Sequence, residues 1–132
     1  MTVLFEEIHE HLSPQVTASR IQGATFDEVL FADDTICLST SPAAMNEILR
    51  NIEKFSAEYG MNLNRTKCEL IHFGPPIHIC FSDGTPVPIK NEAKYLGCYL
   101  NNQANLNQEI SKRISQCMTT WKKLDLFWKQ GN

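Results

Sequence analysis

Three features of the 132-residue sequence predict an α+β fold. Three stretches carry apolar residues at helical spacing. Several short runs are rich in β-branched and aromatic residues, and turn formers separate them. Their order predicts an antiparallel hairpin, a packed helix, a small β-meander and a C-terminal amphipathic helix.

Residues 1–12 match a helix, because Val3, Leu4, Ile8 and Leu12 form a stripe with Glu6, Glu7 and Glu10 opposite. Ser13-Pro14-Gln15 predicts a loop, followed by a polar extended stretch through Gly23. Next come two apolar segments, Thr25–Phe31 and Thr35–Thr40, free of Pro and Gly, which predict a strand–turn–strand hairpin. Ala32-Asp33-Asp34 falls at or beside its tip.

Ser41-Pro42 is a helix start, with Ser as the cap and Pro at the first helical position. Met45, Ile48, Leu49, Ile52, Phe55 and Tyr59 then recur every three or four residues, and Gly60 marks the end. After Asn64-Arg65-Thr66-Lys67, strands are expected at 69–73, 77–81, 86–89 and 95–100, the last three forming a three-stranded antiparallel meander. A long amphipathic helix is expected over 105–129. In it Leu106, Ile110, Ile114, Cys117, Trp121, Leu124 and Trp128 repeat at spacings of four, four, three, four, three and four. Two Trp and a Phe near its end exceed what a peripheral helix needs and point to a partner surface.

Composition narrows the function classes. No apolar run is long enough to span a membrane, and the first residues lack the basic region and apolar core of a signal peptide, so an intracellular chain (cytoplasmic or nuclear), not secreted, is expected. The five cysteines are odd in number, scattered and without a C-x-x-C pair, which predicts reduced, partly buried thiols. The net charge of −3 hides an asymmetry. Residues 1–60 hold ten acids against three bases, whereas residues 105–132 hold five bases against two acids. Any contact with phosphate is therefore expected at the C-terminal end.

Asp33 and Asp34 are the leading candidate metal ligands. Adjacent carboxylates repel when unpaired, and a divalent cation relieves that repulsion. A hairpin tip also presents acids rigidly, which suits phosphoryl chemistry with two metal ions about 3.5–4 Å apart. A zinc site from Cys68, His72, His78 and Cys80 has suitable residue types but matches no compact finger spacing.

Four signals stand in one order: an apolar strand ending in Phe31-Ala32-Asp33-Asp34, a capped helix to Gly60, Asn64-x-x-Lys67 before a strand, and Lys94-Tyr95-Leu96-Gly97. The series resembles the C-terminal half of the palm of reverse transcriptases, in particular those of non-LTR (LINE-type) retrotransposons. It covers about residues 1–115, with Met1–Phe5 similar to the helix that follows the second palm motif. The resemblance implies an incomplete palm over residues 1–104 and the beginning of a thumb over 105–132. It implies Asp33 as a Mg²⁺ (or Mn²⁺) ligand, with Asp34 as its neighbour and a weaker ligand, and Lys67 near the phosphates of the incoming dNTP. Tyr95, Leu96 and Gly97 would help seat the DNA primer on its RNA template. Cys68 stands where the family more often has Thr or Ser.

The family also needs an Asp from its first palm motif, and no apolar strand ending in Asp precedes the hairpin here. The expectation is a fragment that does not polymerise DNA alone, with exposed apolar surface and a tendency to self-associate. A different class is a non-catalytic nucleic-acid- or partner-binding module using the basic C-terminal helix.

Overall fold

The computed structural model describes residues 2–130 and has the expected α+β character, built from helices and two small antiparallel sheets. Two compact units divide at Lys90/Asn91.

In the first unit, α1 (Thr2–His11) and a short α2 (Pro14–Ala18) precede the hairpin of β1 (Glu28–Phe31) and β2 (Asp34–Cys37), and α3 (Pro42–Glu58) follows it. The α1 span agrees with the apolar stripe, and Met1 lies outside the described residues. Residues 13–23 depart from expectation: Pro14–Ala18 is helical, not loop and extended chain. Ser13 caps this turn from an extended conformation, and Pro14 supplies a φ ready for a helix. Val16 is 1% exposed, so the turn closes because it buries an apolar side chain.

α3 begins where Ser41-Pro42 predicts, with the Ser41 hydroxyl accepting from the Ala44 N–H at 3.4 Å. Gly60, at φ 69°, follows its last turn and makes the left-handed exit that a side chain would resist. Both flanks of the helix are buried. Phe55 packs with Leu4, Phe5 and Ile8 of α1, while Ala44 and Ile48 pack with Val16 of α2. Met45 and Leu49 meet a third cluster made by Ile79, Phe81 and Val87.

Polar bonds lock these layers. The backbone N–H and hydroxyl of Ser13 donate to the Glu47 carboxylate at 2.6 and 2.7 Å, and the Tyr59 hydroxyl donates to Glu7 at 2.7 Å. On the other flank, the Asn46 side-chain oxygen accepts from the Cys80 N–H at 2.9 Å. Glu53 takes the N–H and hydroxyl of Ser82 at 2.7 and 2.5 Å. Arg65 bridges Glu53 and Asp83.

The expected strand at 69–73 is reduced to one parallel bridge, Leu70 with Ile89. Residues 77–81 and 86–89 keep one antiparallel bridge, Cys80 with Pro86. Pro86 and Pro88 lack an N–H and cannot sustain a ladder, so pairing is limited to bonds such as Val87 N–H to Ile79 O at 2.8 Å. The third strand of the expected meander does not join them. Residues 95–100 instead contribute to a separate hairpin in the second unit, β3 (Glu92–Tyr95) with β4 (Cys98–Asn101). Its turn is Leu96-Gly97, both at positive φ, 48° and 80°. That pair of dihedrals closes a two-residue hairpin loop, for which Gly97 is suited and Leu96 is strained. α4 (Leu106–Gln130) follows.

The packing makes Ile48→Ala a test of the α3 interface. Ile48 is 3% exposed, and the substitution is expected to cost about 2–5 kcal/mol in denaturant unfolding. A cost below about 1 kcal/mol would show that α3 does not carry this core.

The Glu53–Arg65–Asp83 cluster makes stability depend on acid pH. Burial drives the Glu53 carboxyl upward, but hydrogen bonds from Ser82 and the Arg65 guanidinium outweigh it, and the group lies below its ordinary value. The Thr85 backbone N–H, its hydroxyl and Arg65 lower Asp83 to about 2. A depressed carboxylate stabilises the fold above its unfolded-state pKa, and the gain disappears as pH falls to the folded value. The stability difference between the protein and its Asp83→Asn variant is therefore expected to shrink between pH 3.8 and about 2. A difference that stays constant through that window in urea titrations would contradict this account.

Candidate functional site

The β1–β2 register sets what the hairpin presents. Glu28 pairs with Cys37, Val29 with Ile36, Leu30 with Thr35 and Phe31 with Asp34. Side chains of directly opposed residues share a face, and successive residues alternate. Leu30 and Cys37 accordingly lie together and pack against the α1 cluster. The opposite face carries Val29, Phe31, Ile36 and Asp34, and Phe31 is 60% exposed.

Ala32-Asp33 is the two-residue turn, with Ala32 at φ 54°. A positive φ is costly for a residue with a Cβ, so this loop stores backbone strain at the hairpin tip. Asp33 therefore sits in the turn and Asp34 opens β2, and both are exposed. Among the described residues neither carboxylate has a charged or hydrogen-bonding partner, which leaves their oxygens open to a cation.

Below the tip, the base of the hairpin is tied down. Asp27, 4% exposed, receives the Arg20 guanidinium through Nε at 2.8 and 2.9 Å and through Nη2 at 2.7 Å. That fork raises the Arg20 pKa. It satisfies a carboxylate that burial would otherwise penalise. His9 of α1 bonds Glu28 at 3.0 Å. Beyond β2, the Leu38 N–H donates to Asp27 O at 2.7 Å, and the Thr40 N–H and hydroxyl donate to Ser19 O at 2.8 and 2.9 Å. Burial pushes the Cys37 thiol up to about 12, with Glu28, Asp27 and Cys68 adding to the effect.

Lys67 ends a single 3₁₀ turn, Arg65–Lys67. Its N–H donates to Asn64 O at 3.0 Å, and the Cys68 thiol donates to the same oxygen at 3.4 Å, so the Asn64-x-x-Lys67 spacing is that of a closed turn. The Lys67 side chain is exposed, and among the described residues no ion pair joins it to Asp33 or Asp34.

Tyr95, Leu96 and Gly97 belong to the second unit, where they form the end of β3 and its turn. They are not a continuous strand. The Arg113 guanidinium of α4 donates to Gly97 O at 3.1 Å, and Glu109 accepts from the Tyr99 N–H at 2.9 Å. Glu109 also takes Arg113 Nε at 2.7 Å; that bond, then the one from Tyr99, lowers the Glu109 pKa. Lys112 bonds Glu92 at 2.7 Å and lies 3.5 Å over the Tyr99 ring.

Among the described residues, the three metal-ligating groups that gather within 4.8 Å are His9, Asp27 and Glu28. Asp33 and Asp34 are not in that set, and Cys68, His72, His78 and Cys80 do not converge. Arg20 already occupies the Asp27 carboxylate, so the His9 cluster acts as a strut between α1 and β1. Nothing in the sequence singled out these struts, because their partners are 7 and 19 residues apart and share no spacing rule. All described cysteines are free thiols; Cys98 and Cys117 are exposed, contrary to the expectation of partial burial.

These elements match known proteins over most of their length. Residues 1–100 match the family described as reverse transcriptase (RNA-dependent DNA polymerase). The chain is 26% identical over 104 residues to an uncharacterised transposon-derived protein of Caenorhabditis elegans, covering 71% of this chain and 36% of that protein. It thus spans about a third of the length of that curated relative. No solved structure gives a significant match. The match spans α1, the acid-tipped hairpin, α3, the Lys67 turn and the β3–β4 turn, and on it the chain belongs to the reverse transcriptase (RNA-dependent DNA polymerase) family.

Proposed function

We propose that this chain is the C-terminal part of the palm of a retrotransposon reverse transcriptase of the non-LTR type, and that Asp33 and Asp34 are its metal-binding acids. In this reading residues 1–104 belong to the palm and residues 105–132 lead towards the thumb. The observation that carries it is the family match over residues 1–100 together with two exposed carboxylates at the tip of a hairpin, Asp33 in its strained turn and Asp34 opening β2, which have no charged or hydrogen-bonding partner among the described residues.

The donor set suits Mg²⁺ or Mn²⁺, since both are hard cations that prefer carboxylate oxygen. When bound, such ions stabilise the attacking and leaving oxygens of nucleotidyl transfer. The chain's own residues contribute position and charge. Anchored by Asp27, Leu30 and Cys37, the hairpin holds the carboxylates at a fixed place. The Lys67 ammonium, free of carboxylate partners among the described residues, is available to a dNTP triphosphate. The Tyr95–Gly97 turn, braced by Arg113, offers a firm ledge for a DNA primer paired to RNA. Two acids from one hairpin are fewer than a two-metal centre uses, so the chain by itself is inactive as a polymerase.

Manganese titration followed by paramagnetic broadening of backbone amide signals tests the metal role. Broadening is expected to begin at residues 31–36 and to be lost in the Asp33→Asn, Asp34→Asn double variant. Broadening centred on His9 and Glu28 instead would overturn the assignment. In a primer-extension assay, Mg²⁺- or Mn²⁺-dependent product that disappears in Asp33→Ala protein would refute the claim of inactivity.

A further inference from the structure

The hairpin that carries the two acids stands with its less apolar face inward. That face brings Leu30 and Cys37 to the α1 cluster, with Glu28 and Thr35 beside them. The opposite face carries Val29, Ile36 and Phe31 together with Asp34, and Val29 is 39% exposed and Phe31 60%. Apolar burial alone therefore favours the reverse facing. A slip of the pairing by one residue moves a strand's side chains to the other face. Two strands of four residues are too short to enforce their own register. The observed register has to be imposed from outside the ladder.

The bonds at the base of the hairpin impose it, and they converge on two adjacent residues just past α2. Arg20 grips the incoming strand, with Nε and Nη2 forked onto the Asp27 carboxylate at 2.7 to 2.9 Å. Ser19 grips the outgoing strand. Its carbonyl accepts the N–H and hydroxyl of Thr40 at 2.8 and 2.9 Å, and its hydroxyl bonds that of Ser39 at 3.0 Å. Between the two grips the Leu38 N–H donates to the Asp27 carbonyl at 2.7 Å. One peptide unit separates Ser19 from Arg20, so holding both strands from this pair fixes Asp27 against Thr40. Asp27 is 4% exposed, and a carboxylate so buried needs its guanidinium. The adjacent carboxylate, Glu28, would fit the same fork after a one-residue slip, but His9 of α1 holds it at 3.0 Å.

We propose that Arg20 is a positioning residue for the acid-tipped hairpin: acting through Asp27, with Ser19 on the other strand, it sets the register that opposes Phe31 to Asp34 and leaves Ala32-Asp33 as the turn. Its part in cation binding rests on the reading of Asp33 and Asp34 as metal ligands. Its part in the register does not.

The test replaces the fork by an apolar pair, Arg20→Met with Asp27→Leu, in the full chain. Exchanging a buried ion pair for apolar side chains of similar size leaves no stranded charge, so the fold is expected to survive. Unchanged amide signals from Ile48 and Phe55 verify that. The cross-strand nuclear Overhauser contacts between Val29 and Ile36 are expected to be lost in metal-free protein. The Mn²⁺ concentration that broadens residues 31–36 is expected to rise about tenfold or more, the loss typical when a group that orients a ligand is removed. Should the core signals change, Arg20→Lys poses the same question, because one ammonium keeps the charge on Asp27 without the fork. The same losses are then expected, in smaller degree.

A folded variant that keeps the Val29–Ile36 contacts overturns the proposal, since the ladder then sets its own register. Lost contacts with unchanged Mn²⁺ broadening overturn the positioning role. If the unaltered protein shows no broadening at 31–36, the metal reading fails by itself, and the cross-strand contacts decide for or against Arg20.

Discussion

The burial of α3 on two flanks is the constraint on which the first unit depends. A helix on a domain surface hides one stripe; this one contributes to three apolar clusters. Phe55 and Ile52 face α1 and the hairpin, Ala44 and Ile48 face α2, and Met45 and Leu49 face the segment from Ile77 to Val87. The segment after residue 60 has almost no ladder of its own, so its conformation is maintained by what α3 offers it: apolar contacts, the Asn46 carbonyl and the Glu53 carboxylate. Burying those acceptors without donors would be costly, and Ser82, Arg65 and the Cys80 N–H remove that cost.

The same constraint turns the hairpin into a support. With Leu30 and Cys37 committed to the core, the alternation of a strand forces Phe31 and Asp34 to the other face. The hairpin tip then presents Asp33 in the turn and Asp34 at the start of β2, where no basic group among the described residues pairs with them. A core that fixes one face and a turn with Ala32 at φ 54° together set the geometry of a negatively charged tip. In a polymerase family member, this is the kind of local geometry that a cation would complete.

The second unit shows a different balance. Its interior bonds are charge-assisted: Glu109 with Arg113, Lys112 with Glu92, Arg113 with the Gly97 carbonyl. These hold a strained Leu96-Gly97 turn against α4 while most of the apolar surface of the helix remains exposed. Exposed ion pairs contribute little to stability individually, so the unit has little apolar burial of its own to draw on.

The amino-acid sequence by itself determined the elements whose signals are local. Ser41-Pro42 and Gly60 delimited α3, the apolar periodicity marked α1 and α4, and the Asp pair marked the hairpin tip, because caps, periods and turns act over a few residues. The order of motifs along the chain pointed to the family. Tertiary structure decided the rest. Residues 13–23 became partly helical through the burial of Val16, and the expected meander gave way to isolated bridges because prolines removed its donors. Tyr95 ended a strand and Leu96-Gly97 became a turn, and Arg113, sixteen residues beyond Gly97, donates to its carbonyl. The Arg20–Asp27 and His9–Glu28 struts were equally invisible, since no periodicity encodes a partner chosen by the folding of the whole chain.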